Sequence, residues 1–296
     1  MQRSENPYPY IQSRATRLDM ANKSDASEIE VDIVATGTEL TYGQFTDTNS
    51  SWIAEQLTMS GATVRRMTIV SDRMDDMVKT IVDGLREKRR LIVVTGGLGP
   101  SEDDLTIEAI AEALGRATII SDDALTLVTA KCREFGIELN ERRKRMARAV
   151  ESGESLVNTL GLSPGTIVRT GDTTVVALPG IPKEMKPMFE THVLPMVQDW
   201  TKGQMRTINI RVFSGDSRFP VLQRVQGEFP TVYFKMHARP PAHDENQGYG
   251  KGMDVTLLAK GRDADSCQSL LKQVVSRFQS LLDEQGGRLE ILENHK

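Results

Sequence analysis

The alternation of strand-like and helix-like segments after residue 29 is the feature that most restricts the fold of this chain. Short apolar runs typical of strands alternate with apolar residues at helical spacing. In chain order these segments are Val31–Ala35, Thr48–Ser60, Ala62–Val70, Met74–Lys88, Leu91–Val94 and a helix that begins near Asp104. This β-α-β-α-β-α order predicts a mainly parallel sheet covered by helices, because parallel strands need crossover connections.

Two loops follow the first and third predicted strands, and they are the most informative part of the sequence. Ligands of parallel sheets bind at the carboxyl ends of the strands, which here lead into Thr36–Asp47 and Thr95–Asp104. The second loop contains Gly96, Gly97 and Gly99. Glycine allows sharp turns and close approach to a ligand, and the N–H groups of a following helix suit a phosphate. The loops therefore predict a phosphate site.

Three consecutive acids, Glu102, Asp103 and Asp104, end this glycine loop. Carboxylates beside a phosphate site are well placed to hold a divalent cation that also binds the phosphates. The simpler interpretation is that these acids cap the following helix and complement its dipole. Both interpretations stay open from the sequence.

Two further segments between residues 140 and 185 invite a functional interpretation. Pro179 and Gly180 follow the predicted strand Thr173–Leu178, so they form either a second anion-facing loop or a simple tight turn. The predicted helix Glu141–Val150 carries a dense run of basic residues. A solvated helix face is the usual explanation of such a run, and the alternative is that one or two of the cations reach an anionic ligand.

The pattern changes near Trp200–Gln204, and this change divides the chain. Residues 1–28 are polar and aperiodic, which predicts a flexible extension. We expect a first domain over residues 29–202 and a small α+β domain over residues 203–296, with a sheet on one side and helices on the other.

Composition excludes several classes of protein. The net charge is −4 and the pI is about 5.7, which argues against nucleic acid as the main partner because phosphate-backbone binding needs a basic face. No apolar run has membrane-spanning length, and the N-terminus lacks the apolar core of a signal peptide. The cysteines and histidines show no zinc-ligand spacing. We therefore expect a cytoplasmic protein that acts on small molecules.

An ordered set of motifs resembles the molybdopterin-binding-like domain of the CinA (competence-damage-inducible) family. The motifs are Gly37-Thr-Glu-Leu40, Gly43-Gln44, Asp47-Thr-Asn49, Thr95-Gly-Gly-Leu-Gly-Pro100, Asp103-Asp-Leu-Thr106 and Leu178-Pro-Gly-Ile-Pro-Lys-Glu-Met185. The resemblance extends from about Glu30 to Asp199, and the block after Met205 is less distinctively similar to the KH-like domain that follows in that family.

This resemblance implies a MoaB/MogA-type fold, a three-layer α/β arrangement, and assembly into a dimer or trimer. It also implies a metal-dependent pyrophosphatase acting on ADP-ribose or a related dinucleotide such as FAD. The alternative is molybdopterin binding and adenylylation in molybdenum cofactor biosynthesis, because a fold does not fix the chemistry. Full-length bacterial members carry a further C-terminal domain that deamidates nicotinamide mononucleotide. The chain up to Lys296 resembles a stand-alone archaeal form without it, so we expect no such deamidase activity.

The resemblance also implies roles for individual residues. Asp47 and Asp104 match the functional aspartates of MogA-like relatives and are the expected catalytic acids. The expected phosphate and nucleotide contacts are Gly37, Thr38, Asn49, Gly96, Gly97, Gly99, Pro179 and Gly180. The expected ligands of a divalent ion (Mg²⁺, Mn²⁺ or Co²⁺) are Glu39, Asp47, Asp103 and Asp104.

Simpler roles remain open for some residues in the first loop. Glu39 suits helix capping or a ribose hydrogen bond as well as a metal, and Asn49 suits helix initiation as well as a ligand. For Tyr42 and Phe45, packing is a simpler interpretation than stacking on a base.

Overall fold

The computed structural model describes residues 29–201, 204–213, 218–237, 252–261 and 263–292. The contacts divide the chain into two compact units between residues 202 and 203. The predicted N-terminal extension, residues 1–28, lies outside the described residues. Within the described ranges, no helix is long and apolar enough to cross a membrane.

The first unit is built on a six-stranded sheet in the order β2-β1-β3-β8-β7-β6. Its strands, with a separate two-stranded pair β4–β5, are β1 (Glu30–Thr36), β2 (Thr63–Val70), β3 (Leu91–Thr95), β4 (Thr118–Ile120), β5 (Arg148–Val150), β6 (Glu154–Leu156), β7 (Gly165–Thr170) and β8 (Thr173–Leu178). The four strands β2, β1, β3 and β8 are mutually parallel. On the β8 side, β7 pairs with β8 in antiparallel orientation, and β6 pairs with β7 in antiparallel orientation. The predicted, mainly parallel sheet is confirmed.

Helices cover both faces of this sheet. They are α1 (Thr38–Thr41), α2 (Thr48–Met59), α3 (Met74–Arg86), α4 (Thr106–Leu114), α5 (Asp122–Glu134), α6 (Glu141–Lys144), α7 (Pro182–Met188) and α8 (Leu194–Thr201), with a π-helical turn at Phe189–Val193. Successive residues of a strand point to opposite faces. Ile33 accordingly belongs to one buried cluster with Ile53 of α2, and Val34 belongs to another with Ile81 of α3 and Ile110 of α4. These two clusters are the interfaces of a three-layer α/β fold.

Two predicted helices have different limits in the structure. Residues 141–150 form the short helix α6, the 3₁₀ turn Arg145–Ala147 and strand β5, not one continuous helix. β5 pairs with β4 in antiparallel register, and this long-range pairing overrides the local helical preference. Helix α4 begins at Thr106, two residues after Asp104. The three-residue strands β4 and β6 are too short for periodicity to reveal them.

The second unit is a four-stranded antiparallel sheet in the order β10-β11-β9-β12. Its elements are β9 (Gln204–Phe213), α9 (Arg218–Glu228), β10 (Val232–His237), β11 (Met253–Gly261), α10 (Ala264–Asp283) and β12 (Arg288–Leu292). The β-α-β-β-α-β order is that of the split βαβ motif. Buried residues of both helices join the buried sheet residues in one core cluster. The α+β class predicted for this block is confirmed, and β12 was not predicted.

Candidate functional site

The candidate site lies at the edge of the first unit where the parallel strands end. The glycine loop is fastened to β8 because the N–H of Gly96 donates to the carbonyl of Leu178 at 3.0 Å. The first loop is fastened to β2 because the N–H of Gly37 donates to the carbonyl of Val70 at 3.0 Å. The loops predicted from the sequence therefore lie at one edge of the sheet.

Asn49, at the start of α2, connects this helix with the end of β3 and with the Pro179–Gly180 turn. Its Nδ2 atom donates to the Gly180 carbonyl at 2.7 Å and to Thr95 Oγ1 at 3.2 Å. The Thr95 hydroxyl in turn donates to the Pro179 carbonyl at 3.0 Å. Because carbonyl oxygens only accept hydrogen bonds, Thr95 must use its hydrogen on Pro179 and accept from Asn49. This chain of donors fixes the orientation of the Asn49 amide.

Two buried polar atoms beside this network have no partner among the described residues. They are Asn49 Oδ1 and Ser50 Oγ, on residues that are 7% and 1% exposed. A buried polar atom without a hydrogen bond costs about 1–3 kcal/mol. Such atoms are rare in folded proteins, and a functional site is one of the places where they are retained.

Thr106 holds the glycine loop from the other side. Its hydroxyl donates to the Gly96 carbonyl at 2.8 Å, and its N–H donates to the Gly97 carbonyl at 3.2 Å. Gly96 and Gly97 have φ of 106° and 63°. A Cβ on Gly96 would lie 2.4 Å from the Thr36 carbonyl, and one on Gly97 would lie 2.4 Å from Thr106 Oγ1. Packing against the protein therefore requires these glycines, and the Gly96 N–H is committed to Leu178 and not to a phosphate.

Asp104 closes a turn of the glycine loop and does not cap the next helix. Its Oδ2 accepts a hydrogen bond from the Ser101 N–H at 2.7 Å. Leu105 occupies the N-cap position of α4, where no side chain accepts a capping hydrogen bond. A Cβ on Gly99 would lie 2.6 Å from Asp104 Oδ2, so this glycine makes room for the carboxylate. Asp103 is exposed.

The acids of the first loop have mixed roles. Asp47 caps α2, since its Oδ1 accepts from the Ser50 N–H at 2.9 Å. Glu39 is exposed on α1. The N–H of Thr38 donates to Asp72 Oδ2 at 2.7 Å, so it fastens α1 to the loop after β2 and is not free for a phosphate. In the ranges that the structure describes, no group of three or more acidic, histidine or cysteine side chains is arranged to hold a metal ion.

The basic run after residue 141 contacts the glycine loop. Arg142 donates to Ser101 Oγ at 3.0 Å, and Arg145 donates to the Ser101 carbonyl at 3.1 Å. Arg148 donates to the Asp104 carbonyl at 2.9 Å. Burial lowers the pKa of Arg148 below its ordinary value, and the neighbouring positive charge of Arg145 lowers it further. These cations position the glycine loop. The sequence had suggested either a solvated helix face or contact with an anionic ligand.

Several residues of the site carried no recognisable signal in the sequence. Ser50 and Asp72 lie outside the quoted motifs, and Thr95 and Thr106 entered them without an assigned role. The side chains of Thr95, Thr106 and Asp72 bond to residues 10 or more positions away along the chain. The separations reach 84 residues for the bond between Thr95 and Pro179. The one available signal was a threonine at the last position of β3, directly before the glycines.

Comparison with known proteins identifies the first unit. The family model described as "Probable molybdopterin binding domain" matches residues 32–199. The chain belongs to this family. A protein from Metallosphaera sedula is 30% identical over 269 residues, which cover 89% of this chain and 98% of that protein.

Two further relatives connect the molybdopterin-binding domain with CinA-type proteins. The "Putative competence-damage inducible protein" of Bacillus pumilus is 35% identical over 261 residues, which cover 87% of this chain and 60% of that protein. The crystal structure of "the protein CinA with unknown function" from Thermoplasma acidophilum matches with a TM-score of 0.53 and 32% identity, over 60% of this chain and 99% of that one. The predicted CinA-type resemblance is confirmed.

Proposed function

We propose that the carboxyl edge of the first unit binds a molybdopterin-type ligand through its phosphate group. The observation that carries this proposal is the Asn49 network, which draws α2, the glycine loop and the Pro179–Gly180 turn together. A structural network in a protein interior normally satisfies its polar atoms. This one retains the unpartnered Asn49 Oδ1, and the unpartnered Ser50 Oγ lies on the next residue, as expected where a ligand supplies the missing partners.

Three of the helices that begin at this edge also favour an anion. Helices α3, α4 and α7, which follow β2, β3 and β8, have no side-chain cap. Helix α2, which begins at the same edge, is capped by Asp47. Uncapped first turns leave N–H groups and the positive end of the helix dipole for a phosphate.

A second candidate function is metal-dependent hydrolysis of a nucleotide pyrophosphate such as ADP-ribose or FAD. It is favoured by the acids of the two loops, since Glu39 and Asp103 are exposed and Asp104 is held by Ser101. Mg²⁺ commonly takes one or two carboxylates and completes its shell with phosphate oxygens and water. One or two of Glu39, Asp103 and Asp104 would serve in this mode, in which Mg²⁺, Mn²⁺ or Co²⁺ would neutralise phosphate charge.

Calorimetric titration of the full chain with molybdopterin and with ADP-ribose, each with and without Mg²⁺, tests both candidates. Product analysis by ³¹P NMR then separates adenylylation in the presence of ATP from pyrophosphate cleavage. We expect molybdopterin to bind. Absence of binding by both ligands under all conditions would overturn the proposal, and cleavage of ADP-ribose without molybdopterin binding would replace it with the second candidate.

Asp104→Asn is the sharpest variant for either chemistry. An asparagine oxygen still accepts from the Ser101 N–H, so we expect the fold and melting temperature to be retained. Loss of the carboxylate charge should weaken metal-dependent binding or turnover at least about tenfold, or ~1.4 kcal/mol. Asp122→Asn, on the exposed first turn of α5, is the control. Wild-type behaviour of a folded Asp104→Asn protein would remove this residue from the site.

A further inference from the structure

A groove beside α1 lies next to the candidate site and is not explained by it. It runs between α1, the end of β2 and the start of α3, and its volume is about 770 Å³. Sites for small molecules commonly have volumes of about 300–1,000 Å³. Thr38, Tyr42, Ile69, Arg73, Asp76 and Lys79 are among its lining residues. We refer to it as the α1 groove.

Reciprocal hydrogen bonds hold Thr38, a lining residue of the α1 groove, against the loop after β2. The Thr38 N–H donates to Asp72 Oδ2 at 2.7 Å, and the Asp72 N–H donates to Thr38 Oγ1 at 3.3 Å. The bond from Gly37 to Val70 fastens the preceding residue as well. The groove is therefore preformed, which lowers the entropy cost of binding.

Its walls expose apolar surface and a cation. Tyr42 is 74% exposed and Ile69 is 47% exposed, so packing does not account for the tyrosine. Asp76 forms an ion pair with Arg73 at 3.6 Å. Across the part of the chain that the structure describes, no carboxylate lies within ion-pair distance of Lys79. An aromatic ring and a cation without an acidic partner together suit a planar ring that carries oxygen or negative charge.

We propose that the α1 groove binds the heteroaromatic ring of the ligand whose phosphate lies at the glycine loop. This inference rests on the proposed function. Tyr42 stacks on the ring, and Lys79 donates a charge-assisted hydrogen bond to an oxygen of the same ligand. Thr38 lines the groove, and the preceding residue, Gly37, belongs to the candidate site, so the groove adjoins that site. The base of a nucleotide and a pterin share this chemistry.

The test measures the affinity of the full chain for three probes: inorganic pyrophosphate, ADP and dihydroneopterin phosphate. Tyr42→Ala should weaken binding of a ring-bearing probe about 5- to 150-fold, which is a stacking energy of about 1–3 kcal/mol at 1.4 kcal/mol per tenfold. Lys79→Ala should weaken it about tenfold. Neither change should alter pyrophosphate affinity. If both variants weaken binding of ADP, the ring is a nucleotide base. If both weaken binding of dihydroneopterin phosphate, the ring is a pterin.

Matched controls are available in the same elements. Phe45→Ala removes another exposed aromatic side chain of the first loop, and Arg86→Ala removes a cation from the last turn of α3. Both controls should bind as the wild type does. If the wild type binds ring-bearing probes and Tyr42→Ala and Lys79→Ala bind them equally well, the groove inference is overturned. If the wild type binds none of the three probes, the phosphate site of the proposed function fails instead.

Discussion

The two ends of the parallel strands contain different kinds of buried polar group. At the amino end, the Asp32 carboxylate is bonded to Arg66 at 2.6 Å and to Arg89 at 2.9 Å. Arg89 also forms ion pairs with Glu30 and Glu87. At the carboxyl end, the network centred on Asn49 consists of neutral amides and hydroxyls.

The difference between the two ends follows from the cost of leaving each kind of group unpaired. A buried charge without a partner costs several kcal/mol, so both carboxylate oxygens of Asp32 are paired. A buried neutral acceptor costs about 1–3 kcal/mol, which a folded protein can bear at a binding site. We infer that the amino end contributes mainly to stability and the carboxyl end mainly to binding.

The largest expected effect comes from Asp32→Ala. It leaves the buried Arg89 without its innermost partner, and breaking a buried ion pair in this way costs about 3–5 kcal/mol. Urea denaturation measures the loss, and the folded fraction should bind ligand with wild-type affinity. Glu154→Ala, in the exposed pair with Arg169, should cost at most about 1 kcal/mol. A ligand-binding defect in folded Asp32→Ala protein would break the proposed division between the two ends.

Gly97→Ala is expected to have the next largest effect. Its φ of 63° disfavours a side chain by about 1–3 kcal/mol, and the new Cβ would lie 2.4 Å from Thr106 Oγ1. Gly115→Ala is a matched control, because Gly115 has the same φ of 63° and a Cβ there would meet nothing within 4 Å. Thermal melts of both variants isolate the contact with Thr106. Equal loss of stability in the two variants would show that the contact between the new Cβ and Thr106 does not contribute to the destabilisation.

Asn49→Ala should separate binding from stability at the carboxyl end. The change removes two hydrogen bonds but also the unpartnered Oδ1, so we expect a stability loss of about 1–2 kcal/mol. Ligand affinity should fall by more than tenfold, because α2 loses its hydrogen bonds to Thr95 and to Gly180. Asn158→Ala provides the contrast. All four hydrogen bonds of that buried amide lie within the protein, so its stability loss should be larger. A larger loss of stability in Asn49→Ala than in Asn158→Ala would contradict the proposal that Asn49 serves binding more than stability.

The smallest change in stability is expected for Asp103→Asn. This side chain is exposed, and surface substitutions of this kind usually alter stability by less than about 0.5 kcal/mol. If Asp103 helps to hold a divalent ion, the variant needs a higher Mg²⁺ concentration for half-maximal ligand binding. A magnesium titration at fixed ligand measures this directly. An unchanged magnesium requirement would confine the metal hypothesis to Glu39 and Asp104.

The sequence alone was sufficient for the parallel strands of the first unit and for the two loops that follow β1 and β3. The alternating apolar periods from Val31 to Leu114 predicted the parallel sheet, because short-range spacing decides whether a segment forms a strand or a helix. The loops after β1 and β3 could be assigned to one edge, because parallel strands share a direction. The structure then placed the Pro179–Gly180 turn, which follows β8, at the same edge.

Only the tertiary structure decided which atoms at that edge are committed and which remain for a ligand. The Gly96 N–H is used by Leu178, and the Asn49 amide is oriented by Thr95 and Gly180. The partners in each of these three hydrogen bonds lie 46 or more residues apart along the chain. Local sequence determines backbone conformation through short-range sterics and periodicity. Hydrogen-bond partners are chosen only when packing brings distant segments together, and so the site's chemistry became visible only in the folded chain.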